Sequence, residues 1–580
     1  VLSDDIGKYD AIKGRFPAST RFFERAALDR VQRELREVEG VTVLIYEQTC
    51  AAEKRRRRKR GRLADPDTRV FINEAVCEGC GDCSVQSGCM SILPKPTPLG
   101  VKRQIDQSAC NKDYTCLKGF CPAMVTVEGG SLRKPEAAAI APERLENLPA
   151  PAGAAVEAQS VMVCGIGGTG VVTVGAVLAM AAHLEGRAAS VFDVTGLAQK
   201  NGAVYSHIRL GAAGAELGPQ RIGAGEADLV LAFDMMAAAD AQALKTLDPA
   251  RSTLIGNSAV APGAAFQFAA SEAGLPDGAA ILDRLLARTG PGRSHLIDGT
   301  RLALAASGDT IAINMMMVGY ALQLGAIGLS AEAIERAIEL NGVAVEFNRR
   351  AFRVGRLSAV DPGFAAGLIG GETGVAALGL EEHAGLVAAY QNDAWAARYR
   401  GAMARLAEAE AARGVTGLVD AAVPVLSRLM RYKDEYEVAR LMTDPGFDER
   451  LNATFEGPRQ VAFHMAPPIL SRTDVRTGRP AKRALGPWLR GPLRLLAGLK
   501  GLRGTAFDPF GRTEERQLER GLIDWYEGLI ARCAGEVDAA TAARWRDVLA
   551  APDGIRGFGP VKAASVTRVK AEVEALLAAL

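Results

Sequence analysis

The sequence predicts an α/β protein: a doubly wound parallel-sheet domain, preceded by a small cysteine-rich α+β module and followed by a mainly α-helical C-terminal region. Three observations predict this. From residue 160, "SVMVCGIGGTGVVTVGAVLAMAAHLEG" reads strand, Gly turn, helix, and the strand-like runs "ASVFDV", "DLVLAFD" and "STLIGNS" follow with helical segments between them. Such alternation builds a sheet covered by helices. Seven of the ten cysteines fall between residues 77 and 121, and beyond about residue 376 strand-like runs give way to Ala/Leu/Arg/Glu-rich helical stretches.

At 580 residues the chain exceeds what one core supports, so several domains are expected. Residues 1–62 read as the end of an α/β unit with a basic linker. There "RFFERAALDRVQRELREVEG" has helical apolar spacing ending in Gly40, and "VTVLIYE" follows as a strand. The basic run "KRRRRKRGR" (54–62) reads first as a solvated linker or helix face, and second as a docking site for an acidic neighbour. Residues 63–130 hold the cysteines. Residues 131–157, rich in Ala, Pro and Glu without a hydrophobic period, read as a linker. Residues 158–355 form the doubly wound domain and 356–580 the helical region.

A net charge of +2 and no aromatic-interleaved basic surface argue against nucleic acid. The longest apolar run, near residues 170–182, is too short to span a bilayer, so no membrane partner is expected. Clustered cysteines in so long a chain read as metal ligands rather than disulfides, which favours the cytoplasm. The opening "VLSDDIGKYD" reads as the interior of a longer polypeptide.

The cysteine module begins as C-x2-C-x2-C-x5-C with Cys77, Cys80, Cys83 and Cys89. Three thiolates at two-residue intervals converge on one cubane face, and in two-cluster ferredoxins the fourth ligand of such a run crosses to the other cluster. The second stretch is Cys110, Cys116 and Cys121-Pro122, and its middle slot holds Asp113. The expectation is a ferredoxin-like module with two iron–sulfur clusters. Cys77, Cys80, Cys83 and Cys121 would hold one four-iron cluster. Cys110, Cys116 and Cys89 would hold the other, with Asp113 as a carboxylate ligand or beside an open iron site, so that a three-iron form is expected as an alternative. Zinc is the rival metal.

"GIGGTG" sets Gly165, Gly167, Gly168 and Gly170 between strand and helix, with Asp193 ending the next strand. The spacing suits a dinucleotide pyrophosphate at a helix N-terminus, and equally suits tight strand–helix packing without a ligand.

Beside the cysteine module, "VCGIGGTGVVTVGAVLAMAA", "GLAQKNGAVYSHIRLG" and "AIELNGVAVEFNRRAF" resemble the gamma-type domain of 2-oxoacid:ferredoxin oxidoreductases. The similarity is closer still to the long fused indolepyruvate ferredoxin oxidoreductases of bacteria. "LIYEQTCAAEKRRRRKRG" looks like the tail of that family's thiamine diphosphate domain, and "RYKDEYEVARL", "FHMAPPIL" and "LRGTAFDPFG" look like its C-terminal region. The resemblance implies CoA-dependent oxidative decarboxylation of an aryl 2-oxoacid to an acyl-CoA and carbon dioxide, with reduced ferredoxin as the other product. It implies thiamine diphosphate and Mg2+ held mainly by residues upstream of Val1, because the family's Gly-Asp-Gly signature is absent here. It also moves Gly165–Gly170 away from NAD, towards a structural or CoA-facing role. Expected partners are ferredoxin, the thiamine diphosphate domain and a second copy in a dimer. The alternative is a flavin- or NAD-linked iron–sulfur electron-transfer subunit.

Among single residues, Cys50, Cys164 and Cys533 read as packing thiols. His207, Lys200 and Asn201 read first as structural and second as facing substrate or CoA. No general acid or base stands out.

Overall fold

A computed structural model describes residues 1–133, 135–153, 157–196, 202–268, 276–370, 375–466 and 479–580. The chain divides into two units, Val1–Pro66 and Asp67–Leu580.

In the first unit three short parallel strands lie in the order Phe23–Glu24, Leu2–Ser3, Tyr46–Glu47. The expected helix is confined to Leu28–Arg36, and the expected strand to Tyr46–Glu47. Val41 and Val43 are 97% and 76% exposed, so the start of the run "VTVLI" is not buried within this unit. The basic run lies largely on the helix Ala51–Lys59, where Arg56 and Arg57 pair with Glu53 one turn away, as a solvated helix face requires. Cys50 precedes that helix and is exposed, contrary to the packing role expected of it. The connection after Glu47 runs along the surface instead of continuing a buried strand.

The second unit opens with β1 (Thr68–Ile72), a short helix α1 (Asp82–Ser87) and β2 (Met124–Leu132), the two strands pairing antiparallel around the cysteine loops. The segment after β2 is laid against the α/β core rather than left in solvent: Ile140 and Leu145 are buried there, and Ala138 N donates to Ala305 O at 2.8 Å.

The α/β domain is built on β3 (Gln159–Ile166), α2 (Val171–Leu184), β4 (Ala188–Thr195), β5 (Ala203–Gly211), β6 (Leu229–Ala232), β7 (Thr253–Asn257) and β8 (Ser294–Ile297). The sheet order is β8-β7-β6-β3-β5-β4, parallel except for β5. Alternation along the central strands sends Val161, Val163, Leu229 and Leu231 to one apolar cluster and Met162, Cys164, Val230 and Ala232 to another. Both faces are therefore covered, the three-layer arrangement expected of a doubly wound sheet. Over the first face, α3 (Ile313–Gln323) crosses α4 (Val345–Val360) at backbone contact through Gly319 and Gly355.

The C-terminal region is mostly helical, with its own core around Tyr399, Leu426, Tyr526 and Trp545. The sequence pattern predicts no strand there, yet β9 (Phe455–Met465) and β10 (Arg483–Leu485) exist. They extend the sheet of the cysteine module to the order β10-β9-β2-β1, all antiparallel. Gly457-Pro458 lies within β9. It falls where the register between β9 and β2 shifts, and this irregularity accommodates the proline within a strand. Among the described residues no single helix is long and apolar enough to cross a membrane.

Candidate metal centre

The loop "CEGCGDC" winds tightly because Gly79 and Gly81 take φ of +71° and +77°, a region closed to most side chains. A Cβ on Gly79 would also strike Val101 O at 2.3 Å. The winding turns Gly79 N toward Cys77 Sγ, to which it donates at 3.3 Å. The second loop repeats the device without glycine: Lys112 and Tyr114, on either side of Asp113, hold φ of +52° and +59°, and Lys112 N donates to Cys110 Sγ at 3.4 Å. Two non-glycine residues in the left-handed region within one seven-residue loop is stored strain, and such strain concentrates at functional loops. N–H groups aimed at sulfur suit thiolates that carry negative charge.

Tertiary folding sorts the cysteines into two sets. Burial pushes the Cys80 and Cys83 thiols well up, and each feels repulsion from Cys121 and Cys77. Cys121, eleven residues beyond Cys110 and five beyond Cys116 in sequence, thus sits with the first loop. Burial pushes its thiol up to about 11 against the pull of the Lys482 charge. Cys116 is pushed up to about 12 by burial, and its charged neighbours are Cys89, Cys110 and Asp113. Among the described residues no group of three or more His, Cys, Asp or Glu side chains is drawn together tightly enough for a single metal ion. Buried thiols lifted this far stay protonated without a metal, and binding releases those protons.

The C-terminal motifs close over this centre. In "RYKDEYEVARL", Asp434 pairs with Arg503 of "LRGTAFDPFG" (2.5 Å, both buried), and Tyr436 OH donates to Asp508 at 3.2 Å. Asn73, just before the first cysteine, donates to Leu441 O at 3.0 Å. Val438, Ala439, Met442, Phe447 and Phe463 share one apolar core with Cys77, Cys83 and Cys116.

The glycine turn is occupied by protein. A Cβ on Gly165 would meet Val171 Cγ2 at 2.5 Å, and one on Gly170, where φ is +95°, would meet Asn314 Nδ2 at 2.5 Å. Asn314 Nδ2 also donates to Thr169 O. These contacts give Gly165 and Gly170 a packing reason. His207 is 2% exposed, accepts Ile222 N at 3.2 Å on Nδ1, and packs on Phe192. Lys200 and Asn201 lie outside the described residues, as does most of "APPIL".

Three histidines titrate together. Burial, reinforced by nearby cations, lowers His207, His383 and His464 from 6.5 to about 4. The folded state thus resists protonation that the unfolded chain accepts. The stability this confers is fully present above pH 6.5 and declines as pH falls from 6.5 towards 4. Denaturation midpoints are expected to be level above that window and to fall within it; equal midpoints on both sides would refute the assignment.

Residues 160–358 match the family model of pyruvate ferredoxin/flavodoxin oxidoreductases, and residues 379–575 match a family of unknown function (DUF6537). Over 198 residues the chain is 29% identical to the indolepyruvate oxidoreductase subunit IorB of Methanothermobacter thermautotrophicus, covering 34% of this chain and 95% of that one. The Pyrococcus horikoshii subunit IorB is 26% identical over 198 residues, again 34% of this chain, and 93% of its own. Among solved structures, the pyruvate oxidoreductase subunit PORC of Thermotoga maritima is 21% identical, covering 35% of this chain and 96% of that one with a TM-score of 0.26. A keto/oxoacid ferredoxin oxidoreductase gamma subunit from Geobacter sulfurreducens is also 21% identical, with 35% and 98% covered and a TM-score of 0.25. The sequence matches of the three-layer α/β domain support an oxidoreductase component. Residues 160–358 are similar to the domain that the 2-oxoacid:ferredoxin oxidoreductases share.

Proposed function

We propose that the chain is the electron-transfer part of a CoA-dependent 2-oxoacid ferredoxin oxidoreductase acting on indolepyruvate or a related aryl pyruvate, with ferredoxin as acceptor. The observation that carries this reading is the sorting of seven cysteines into two sets, one completed by Cys121 and the other facing Asp113. In this reading Cys77, Cys80, Cys83 and Cys121 hold one four-iron cluster. Cys89, Cys110 and Cys116 hold a second, with Asp113 as its fourth ligand or beside an open iron. Bound clusters accept and release single electrons, the chemistry that thiamine diphosphate with Mg2+, on a neighbouring segment or subunit, requires of its acceptor. This chain's residues orient the thiolates, donate N–H groups to sulfur and keep water from the buried face. The glycine turn serves strand–helix packing. The setting is the cytoplasm, and the assembly is a dimer with the thiamine diphosphate domain.

Iron and sulfide analysis with EPR on anaerobically prepared protein tests this. More iron than one four-iron cluster contains is expected, and that amount or less would sink the two-cluster version. Asp113→Cys is expected to convert a three-iron signal, or a four-iron cluster with an oxygen-bound iron, into a four-thiolate one. No change in cluster type, potential or stability would remove Asp113 from the site.

A further inference from the structure

The segment matching a family of unknown function reaches the first cysteine set with cations. Lys433 Nζ donates to Val76 O at 3.1 Å and Cys77 O at 3.2 Å, and pairs with Glu78 at 2.5 Å in a nearly buried contact. Arg479 binds Asp82, the residue before Cys83, through both terminal nitrogens at 3.0 Å. Lys482 Nζ donates to Cys121 O at 3.3 Å.

These cations are not equivalent. Glu78 and Asp82 neutralise Lys433 and Arg479, leaving them as clamps on the loop. No carboxylate pairs with Lys482 among the described residues. Its charge faces Cys121, Asp82, Cys116 and Cys83. From the module itself Lys102 and Arg103 are buried on the same side, facing Cys77 and Cys83 respectively. A cluster held by four thiolates is anionic and gains a further negative charge on reduction. In a low-dielectric setting, a fixed cation at this range favours the reduced form.

Resting on the two-cluster reading, we infer that residues 379–575 form the electrostatic wall of the first cluster, and that Lys482 is the residue in it that raises the cluster's reduction potential. The segment delivers this charge by threading β9 and β10 into the module's own sheet, which fixes Lys482, one residue before β10, against Cys121. Phe558 and Gly559 close the same wall, with Gly559 so near the Phe120 ring that a Cβ would lie 2.4 Å from it.

The test is an EPR-monitored redox titration of the full chain, prepared anaerobically, as wild type, Lys482→Gln and Lys482→Arg. The expected result is a first-cluster midpoint more negative in K482Q than in wild type, with iron and sulfide unchanged and the midpoint largely restored in K482R. Loss of the first cluster in K482Q with retention in K482R also supports the assignment, since charge and not shape is then what the site requires. An unmoved midpoint in K482Q with intact clusters overturns it, as does loss of the cluster in both variants. Wild-type protein with no first cluster would sink the underlying reading as well, which separates the two failures.

Discussion

Cys121→Ala is expected to remove about half of the bound iron, taking the first cluster and sparing the second. Sequence order alone would group Cys121 with Cys116, five residues before it. The fold groups it with Cys77, Cys80 and Cys83, because a single 3-10 turn over Thr115–Lys118 folds back onto α1. Gly119 lies so close there that a Cβ would sit 2.9 Å from the Cys83 Cα. Cys116→Ala is expected to do the reverse, abolishing the second cluster's EPR signal and leaving the first. Cys164→Ala is the control: that thiol is fully buried in β3 of the α/β domain, among apolar neighbours, and its loss is expected to leave iron content unchanged. Equal losses in the Cys121 and Cys116 variants, confined to one and the same signal, would contradict the crossing arrangement.

Gly319→Ala is expected to be among the most destabilising single-methyl additions in the chain. A Cβ at 319 would lie 1.9 Å from Phe352 O, and one at 355 would lie 1.9 Å from Met316 O. In both cases the obstacle is backbone in the middle of a helix. It cannot rotate away as a side chain would, so α3 and α4 must separate. Overpacking of a core costs about 1–3 kcal/mol when side chains can adjust, and a helix pair held at backbone contact falls at or above the top of that range. Gly385→Ala, in an exposed position of the helix Leu380–Tyr390 with nothing within 4 Å of the added methyl, is expected to be neutral or to stabilise by up to about 1 kcal/mol through helix propensity. Chemical denaturation midpoints decide the comparison, and a Gly319→Ala midpoint equal to wild type would disprove the close crossing.

Features that depend on neighbours in sequence were legible from it. The cysteine spacing gives loops short enough to wrap a cluster, so the candidate ligands could be named without the fold. The apolar run of β3 and its Gly turn to α2 were visible for the same reason. β5, the one antiparallel strand of that sheet, was not read as a strand; its run "AVYSHIRLG" is buried on both faces and so lacks clean alternation.

Tertiary structure decided what distant residues do to one another. β9 was hidden by Gly457-Pro458, and only its pairing with β2 makes it a strand. Lys433 stood inside a block whose importance the sequence signalled without its role, and Lys482 carried no signal. A lone lysine has no periodicity or spacing to mark it, and its meaning comes from the carbonyl of Cys121, 361 residues away in the chain. The sequence by itself therefore determined which residues are the candidates to bind a cluster. Which charges surround them followed only from the fold, because Coulomb interactions act through space between residues that no local pattern links.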